Sequence, residues 1–212
     1  ITDRQILVNE KLPRPDHIFV YDFAATPDDI PSDSSIAGRH DEHPTTQTAE
    51  QIEAGRKIGT EMATQLVEQI RSMGMPAERA STQSTPQIND LVIRGYLLSI
   101  EEGSSDKRIM VGFGSGESEL DVAVEGFQMT AQGLRKLGSG TVDADGSKTP
   151  GAGMGIASLI ATGNPVGLIV SGGMKVYGEE SGKSKIEGRV KQTVEEIADV
   201  MKERFKQQGW IE

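Results

Sequence analysis

Apolar residues recur along this chain with two different periods, and the change from one to the other outlines the fold. Near the C-terminus Ile186, Val190, Val194, Ile197, Met201 and Phe205 return every three or four positions with charged residues between them, which predicts one amphipathic helix. A second stripe, Ile52, Ile58, Met62, Leu66 and Ile70, predicts a helix over 48–73. Thr48 with Gln51 three residues on makes a capping box for it, and Gly74 with Pro76 closes it. Between the helices the period shortens to two. The run 91–103 reads as a strand, and so do the alternations Ile109, Val111, Phe113 and Leu120, Val122, Val124 on either side of "GSGES". Residues 133–146 predict a weaker edge strand, and 77–81 a short one. "HIFVYDFAA" (17–25) predicts a strand entered from the proline-stiffened arm "LPRPD", and a Pro-, Ser- and Asp-rich loop follows over 26–47.

These elements define an α+β fold: a mixed, mainly antiparallel sheet with a meander over 91–130, packed with two long helices. The glycine-rich apolar run 151–174 adds a helical hairpin turning at Asn164-Pro165 and lying over the sheet. No regular strand–helix alternation of a doubly wound nucleotide fold is visible. The organisation expected is a sheet–helix core with an N-terminal extended arm over 1–150. The hairpin and C-terminal helix over 151–212 are packed on the same domain.

Charge and composition narrow the function classes. Among 212 residues, 22 Lys and Arg stand against 32 Asp and Glu, a net charge of -10. Such a chain repels phosphate backbones and anionic bilayers, and it has no basic stripe with interleaved aromatics, so nucleic acid is not an expected partner. The absence of cysteine removes disulfides, thiolate zinc sites and cysteine nucleophiles. No apolar run is long and clean enough to span a bilayer; the segment 151–174 is uncharged but broken by Asn164-Pro165 and crowded with glycine.

One stretch imitates a nucleotide site. "VYGEESGKSKIEG" (176–188) sits between an apolar run and a helix and contains Gly182-Lys183-Ser184. A phosphate loop needs four residues between its first glycine and Gly-Lys, so that successive N–H groups wrap the phosphate. Here only three separate Gly178 from Gly182, Tyr177 holds the required position, and Glu179 and Glu180 would place negative charge in an anion nest. The reading is a polar turn, with Ser184 as N-cap and Glu187 three residues on. "VGFGSGES" and "GAGMG" fail the dinucleotide fingerprint, the former because Glu117 stands where its third glycine is needed. "DADGS" fails as a calcium loop because Met154 stands at its twelfth position. "HDEH" brings His40, Asp41 and His43 into one loop that could hold a divalent ion, at a spacing that matches no zinc-helix motif. No catalytic residue and no cofactor is expected, and solvated loop residues are the preferred reading of that cluster.

"LPRPDHIFVYDFAATPDDI", "GRKIGTEMATQLVEQIRSMGMPAERA", "LVIRGYLLSIEEG", "VGFGSGESEL" and "GNPVGLIVSGGMKVYGEESGKSKIEGR" follow one another in that order. Together they resemble the bacterial domain-of-unknown-function 4410 family over nearly the whole chain. The resemblance implies an exported protein of the periplasm, outer membrane or cell surface, often anchored through an acylated cysteine upstream. It also implies that this sequence starts downstream of the processing site, and it supplies no catalytic residue.

Glycine spacing then carries the functional expectation. Gly112, Gly114 and Gly116 leave one face of a strand flat, and Gly151/Gly155 and Gly163/Gly167 form small-xxx-small pairs suited to close helix contact. Gly112, Gly114, Gly116, Gly155, Gly163 and Gly167 are therefore candidate interface positions. The expected role is non-catalytic binding or assembly in the envelope, with a second copy or another envelope protein as partner, and with the membrane reached only through an upstream lipid anchor. The rival is a metal-dependent hydrolase using the His40–His43 loop.

Overall fold

The computed structural model describes residues 2–31, 34, 48–81, 83–101, 119–143, 169–171 and 180–212. Two helices, α1 (Ala49–Ser72) and α2 (Glu180–Gln208), cover one face of a seven-stranded sheet. The strands are β1 (Thr2–Ile6), β2 (Ile18–Val20), β3 (Ala77–Arg79), β4 (Leu91–Glu101), β5 (Glu119–Thr130), β6 (Gly133–Asp143) and β7 (Ile169–Ser171). Their order is β1-β6-β5-β4-β2-β3, and β7 also pairs with β4.

The antiparallel part is a meander of β4, β5 and β6, in which β4 pairs directly with β5 from Leu91↔Gln128 to Glu101↔Glu119. The predicted alternation Ile109, Val111, Phe113 lies outside the described residues. β5 turns into β6 through a two-residue loop, with Gly133 at φ +109 and Thr130 paired to it. The other part is parallel: β2 lies between β4 and β3, and α1 is the crossover from β2 to β3. Ile18, Phe19 and Val20 are all buried because β2 has neighbours on both edges and cover on both faces.

Local chemistry sets α1 as expected. Thr48 accepts from the Gln51 N–H at 3.2 Å, while the Gln51 side chain accepts from the Thr48 N–H at 2.9 Å. Gly74, at φ +80, follows the last turn. Ile58, Met62, Leu66 and Ile70 reach zero exposure against the sheet, each contributing at most about 1.5–3 kcal/mol. Ile186, Val190, Val194, Ile197 and Phe205 of α2 enter the same core.

Three expectations change. Residues 133–143 are not an edge, because the N-terminal arm adds β1 outside β6 with Gln5↔Ser139 and Ile6↔Gly138. α2 begins at Glu180, so Ser184 lies within the helix and is not its cap. Once the stripe from Ile186 onward is docked, each residue added to the helix gains a backbone hydrogen bond without a new nucleus. Ile169–Ser171, expected in a helical hairpin, is strand: it pairs in parallel with Ser99–Glu101, along the edge of β4 that β2 and Ala24 occupy further back. The rest of the predicted hairpin lies outside the described residues.

Sequence reading also missed how α2 ends. Gly209, at φ +77, donates to the Lys206 carbonyl at 2.9 Å and Trp210 to that of Phe205 at 3.0 Å, the paired bonds of a Schellman ending. The Phe205 and Trp210 rings touch at 5.6 Å between centroids. The arm straps across this end. Its Leu12 N–H donates to Gln208 Oε1 at 2.7 Å, its Glu10 carbonyl accepts from Gln208 Nε2 at 3.1 Å, and its Leu12 carbonyl accepts from Trp210 Nε1 at 3.1 Å.

Candidate functional site

The sheet face away from the helices has a polar centre. Alternation along β4 sends Leu91, Ile93 and Leu97 towards the helices, and Val92, Arg94 and Tyr96 to the opposite side. On β5 the same alternation sends Ala123, Glu125 and Phe127 there. Arg94 and Glu125 are direct cross-strand partners. Glu125 has zero exposure. Its Oε2 accepts from the Tyr96 hydroxyl at 2.8 Å and from Ser34 Oγ at 3.3 Å, and its Oε1 accepts from Lys136 Nζ at 2.5 Å. The Ser34 and Tyr96 hydroxyls lie 2.9 Å apart. Arg94 is nearly buried, its guanidinium 5.8 Å from the Tyr21 ring centre and 5.2 Å from that of Phe127.

Charge burial on this scale is costly unless each group is matched, and here both carboxylate oxygens are. Burial, then the Glu125 charge, pushes the Tyr96 phenol well above its ordinary value, although Ser34 and Arg94 pull the other way. The phenol is therefore a donor at every physiological pH. A carboxylate without solvent access, held by a phenol, a hydroxyl and an ammonium, ties β4, β5, β6 and Ser34 together and is poorly placed to take a proton from a substrate. The only sequence signal for it is Arg94, a charge in the apolar run "LVIRGYLLSI", which demands a partner.

A smaller charged group surrounds Asp29. Burial raises its carboxyl, but the Arg56 guanidinium at 2.8 Å, Thr26 and the backbone outweigh that and hold it below the usual range.

His40, Asp41 and His43 lie outside the described residues, as do Gly112, Gly114, Gly116, Gly155, Gly163 and Gly167. Among the described residues no group of three or more His, Asp or Glu gathers around a common point, and no helix is long and apolar enough to cross a membrane. Gly182, Lys183 and Ser184 lie inside α2.

Another feature absent from the sequence reading is the outer edge of β1. Among the described residues no strand pairs with its far side. Ile6, at the end of β1, is 40% exposed and Leu7, the next residue, 56% exposed.

A two-layer α+β domain, its mixed sheet covered on one face by two helices, is the class that this architecture defines. The chain belongs to the family described as Domain of unknown function (DUF4410), whose model matches residues 18–163. No curated protein matches it. Among solved structures it is similar to a dodecamer of a PelC variant from Paraburkholderia phytofirmans. The two share 14% identity at a TM-score of 0.38, with 80% of this chain and 99% of the PelC chain covered.

Proposed function

We propose that this protein is a non-catalytic component of the bacterial envelope that works by binding or assembly and associates with copies of itself. The observation that carries the reading is the edge of β1, which among the described residues no strand covers, with the exposed Ile6 and Leu7 beside it. Unpaired strand edges are templates for another chain, and an adjoining apolar pair adds area that water would otherwise cover. β1 is only five residues long and its register shifts between Thr2 and Gln5, which suits a limited, closed contact better than open-ended strand stacking. The closed polar centre supports a non-catalytic role, since Glu125 is engaged on both oxygens. The envelope setting rests on the family resemblance. Gly112, Gly114, Gly116, Gly155, Gly163 and Gly167 remain part of the proposal as positions where a second chain approaches closely.

Light scattering of the native protein tests the reading. The expected mass is a multiple of the subunit, reduced by Leu7→Lys and by Gly114→Leu or Gly167→Leu in variants that keep a folded circular dichroism spectrum. A wild-type monomer at high concentration would sink the assembly role. Cell fractionation that placed the native protein in the cytosol would remove the envelope setting.

A further inference from the structure

Beneath the C-terminal half of α2, the sheet lacks the side chains that would normally fill the space. Gly126, Gly138 and Gly140 lie there side by side on β5 and β6, with Gly126↔Gly138 and Val124↔Gly140 as register partners. A Cβ built on Gly126 meets nothing nearer than Ile93 Cδ1 at 3.9 Å, so a side chain could start there, whereas one on Gly138 would fall 2.5 Å from the Gln5 carbonyl oxygen of β1. What remains is an apolar cleft of about 160 Å³ between this glycine floor and α2. Val124, Leu137, Val200 and Met201 line it and stay only half-buried. Interiors are normally packed to crystal density, and apolar cavities of about 150 Å³ hold a six-carbon ring.

The lining also carries charge. Arg4 from β1 and Arg204 from α2 both line the cleft, two cations in a chain with net charge -10. Among the described residues Arg4 pairs with Glu203 alone, at 3.5 Å with the Glu203 carboxylate mostly in solvent, a long ion pair that can be exchanged for another anion. Arg204 donates to the Val8 carbonyl of the arm and to Gln207 of its own helix, which fixes its guanidinium.

We infer that this cleft binds a single-chain anionic amphiphile, with part of its alkyl chain between α2 and the glycine floor and its head at Arg4 and Arg204. The match is one of chemistry: a mostly apolar cleft with two guanidinium groups in its lining that suit a carboxylate or a phosphate. A fatty acid and a lysophospholipid share this chemistry. The binding needs one subunit only and does not depend on self-association.

Trp210 lines the cleft and is the only tryptophan in the chain, so its fluorescence reports occupancy directly. The full chain is titrated with decanoate, with a ten-carbon lysophosphatidylglycerol and with decanol. A saturable change is expected with the two anions, and the tighter of them names the head group. Arg4→Gln should weaken the anions about two- to fivefold and leave decanol unchanged. Gly126→Leu, whose Cβ has room, projects into the cleft and should weaken every ligand at least about tenfold. Met201→Phe fills it from the helix side and repeats the test should Gly126→Leu misfold. The absence of a saturable signal with either anion on folded wild-type protein overturns the inference, as does undiminished binding in a folded cleft-filling variant. Decanol binding as tightly as decanoate would overturn the assignment of the head to the arginines. Light scattering in parallel shows whether a change in mass, rather than ligand, moves the signal.

Discussion

The ring of Phe23 stands where a side chain on Gly95 would be: a Cβ at Gly95 falls 2.1 Å from Phe23 Cδ1. On the other side of the same residue, a Cβ at Gly59 falls 2.1 Å from the Phe23 carbonyl oxygen. Phe23 is thus held between α1 and β4, its N–H donating to the Gly59 carbonyl at 3.2 Å. Gly95→Ala and Gly59→Ala should each destabilise the fold by about 3 kcal/mol, the upper end for overpacking. In urea denaturation Phe23→Leu should rescue Gly95→Ala in part and Gly59→Ala hardly at all, because only the former clashes with the ring. Simple additivity at both positions would show that the ring is not what excludes a side chain at Gly95.

The buried carboxylate predicts a second effect. Tyr96→Phe removes a 2.8 Å donor from Glu125 and leaves it buried, which should cost about 1–3 kcal/mol. Combined with Glu125→Gln, the double-mutant cycle should show coupling above about 0.5 kcal/mol. A cost near zero for Tyr96→Phe would mean that water takes the place of the phenol.

Tyr96 also sets a pH response. Its folded value is raised, so the stability it contributes is complete below the unfolded value of about 10 and declines as pH climbs from there towards the folded value. Of the three tyrosines, at least one should stay un-ionised in the phenolate absorbance until the protein unfolds in base. Reversible ionisation of all three in folded protein would contradict the closed polar centre.

Asp29 acts at the opposite end of the scale. Its carboxyl is depressed in the folded state, so its contribution is present above about pH 4 and lost as pH falls through the folded value. Arg56→Gln should flatten the acid limb of the stability–pH curve without altering the basic limb. An unchanged acid limb would mean that Arg56 does not hold Asp29 in solution.

Two glycines of the C-terminal segment should respond to alanine with opposite signs. Gly188 lies within α2 with open space around its Cβ position, and Gly188→Ala should stabilise by about 1 kcal/mol. Gly209 sits at φ +77 in the helix ending, and Gly209→Ala should cost about 1–2 kcal/mol. Thermal melts of both variants decide it, and the same sign for both would refute the Schellman ending.

By itself the sequence determined what depends on near neighbours. Thr48 and Gln51 cap α1 because each partner lies three residues from the other. The stripes of α1 and α2, the apolar run of β4 and the alternation of β5 are patterns visible without any fold. Where to place α2 on the sheet, or which strand lies beside which, is not a local property. β1 joined β6, and β2 lay in parallel between β3 and β4, because pairing far along the chain depends on the summed burial of whole faces. The polar centre follows the same logic: nothing near Glu125 in sequence announces zero exposure, and only the juxtaposition of β4, β5 and β6 brings Tyr96 and Lys136 to it. The cleft under α2 was equally invisible. Gly126 and Gly138 stand twelve positions apart in sequence, and only the β5–β6 register sets them opposite one another.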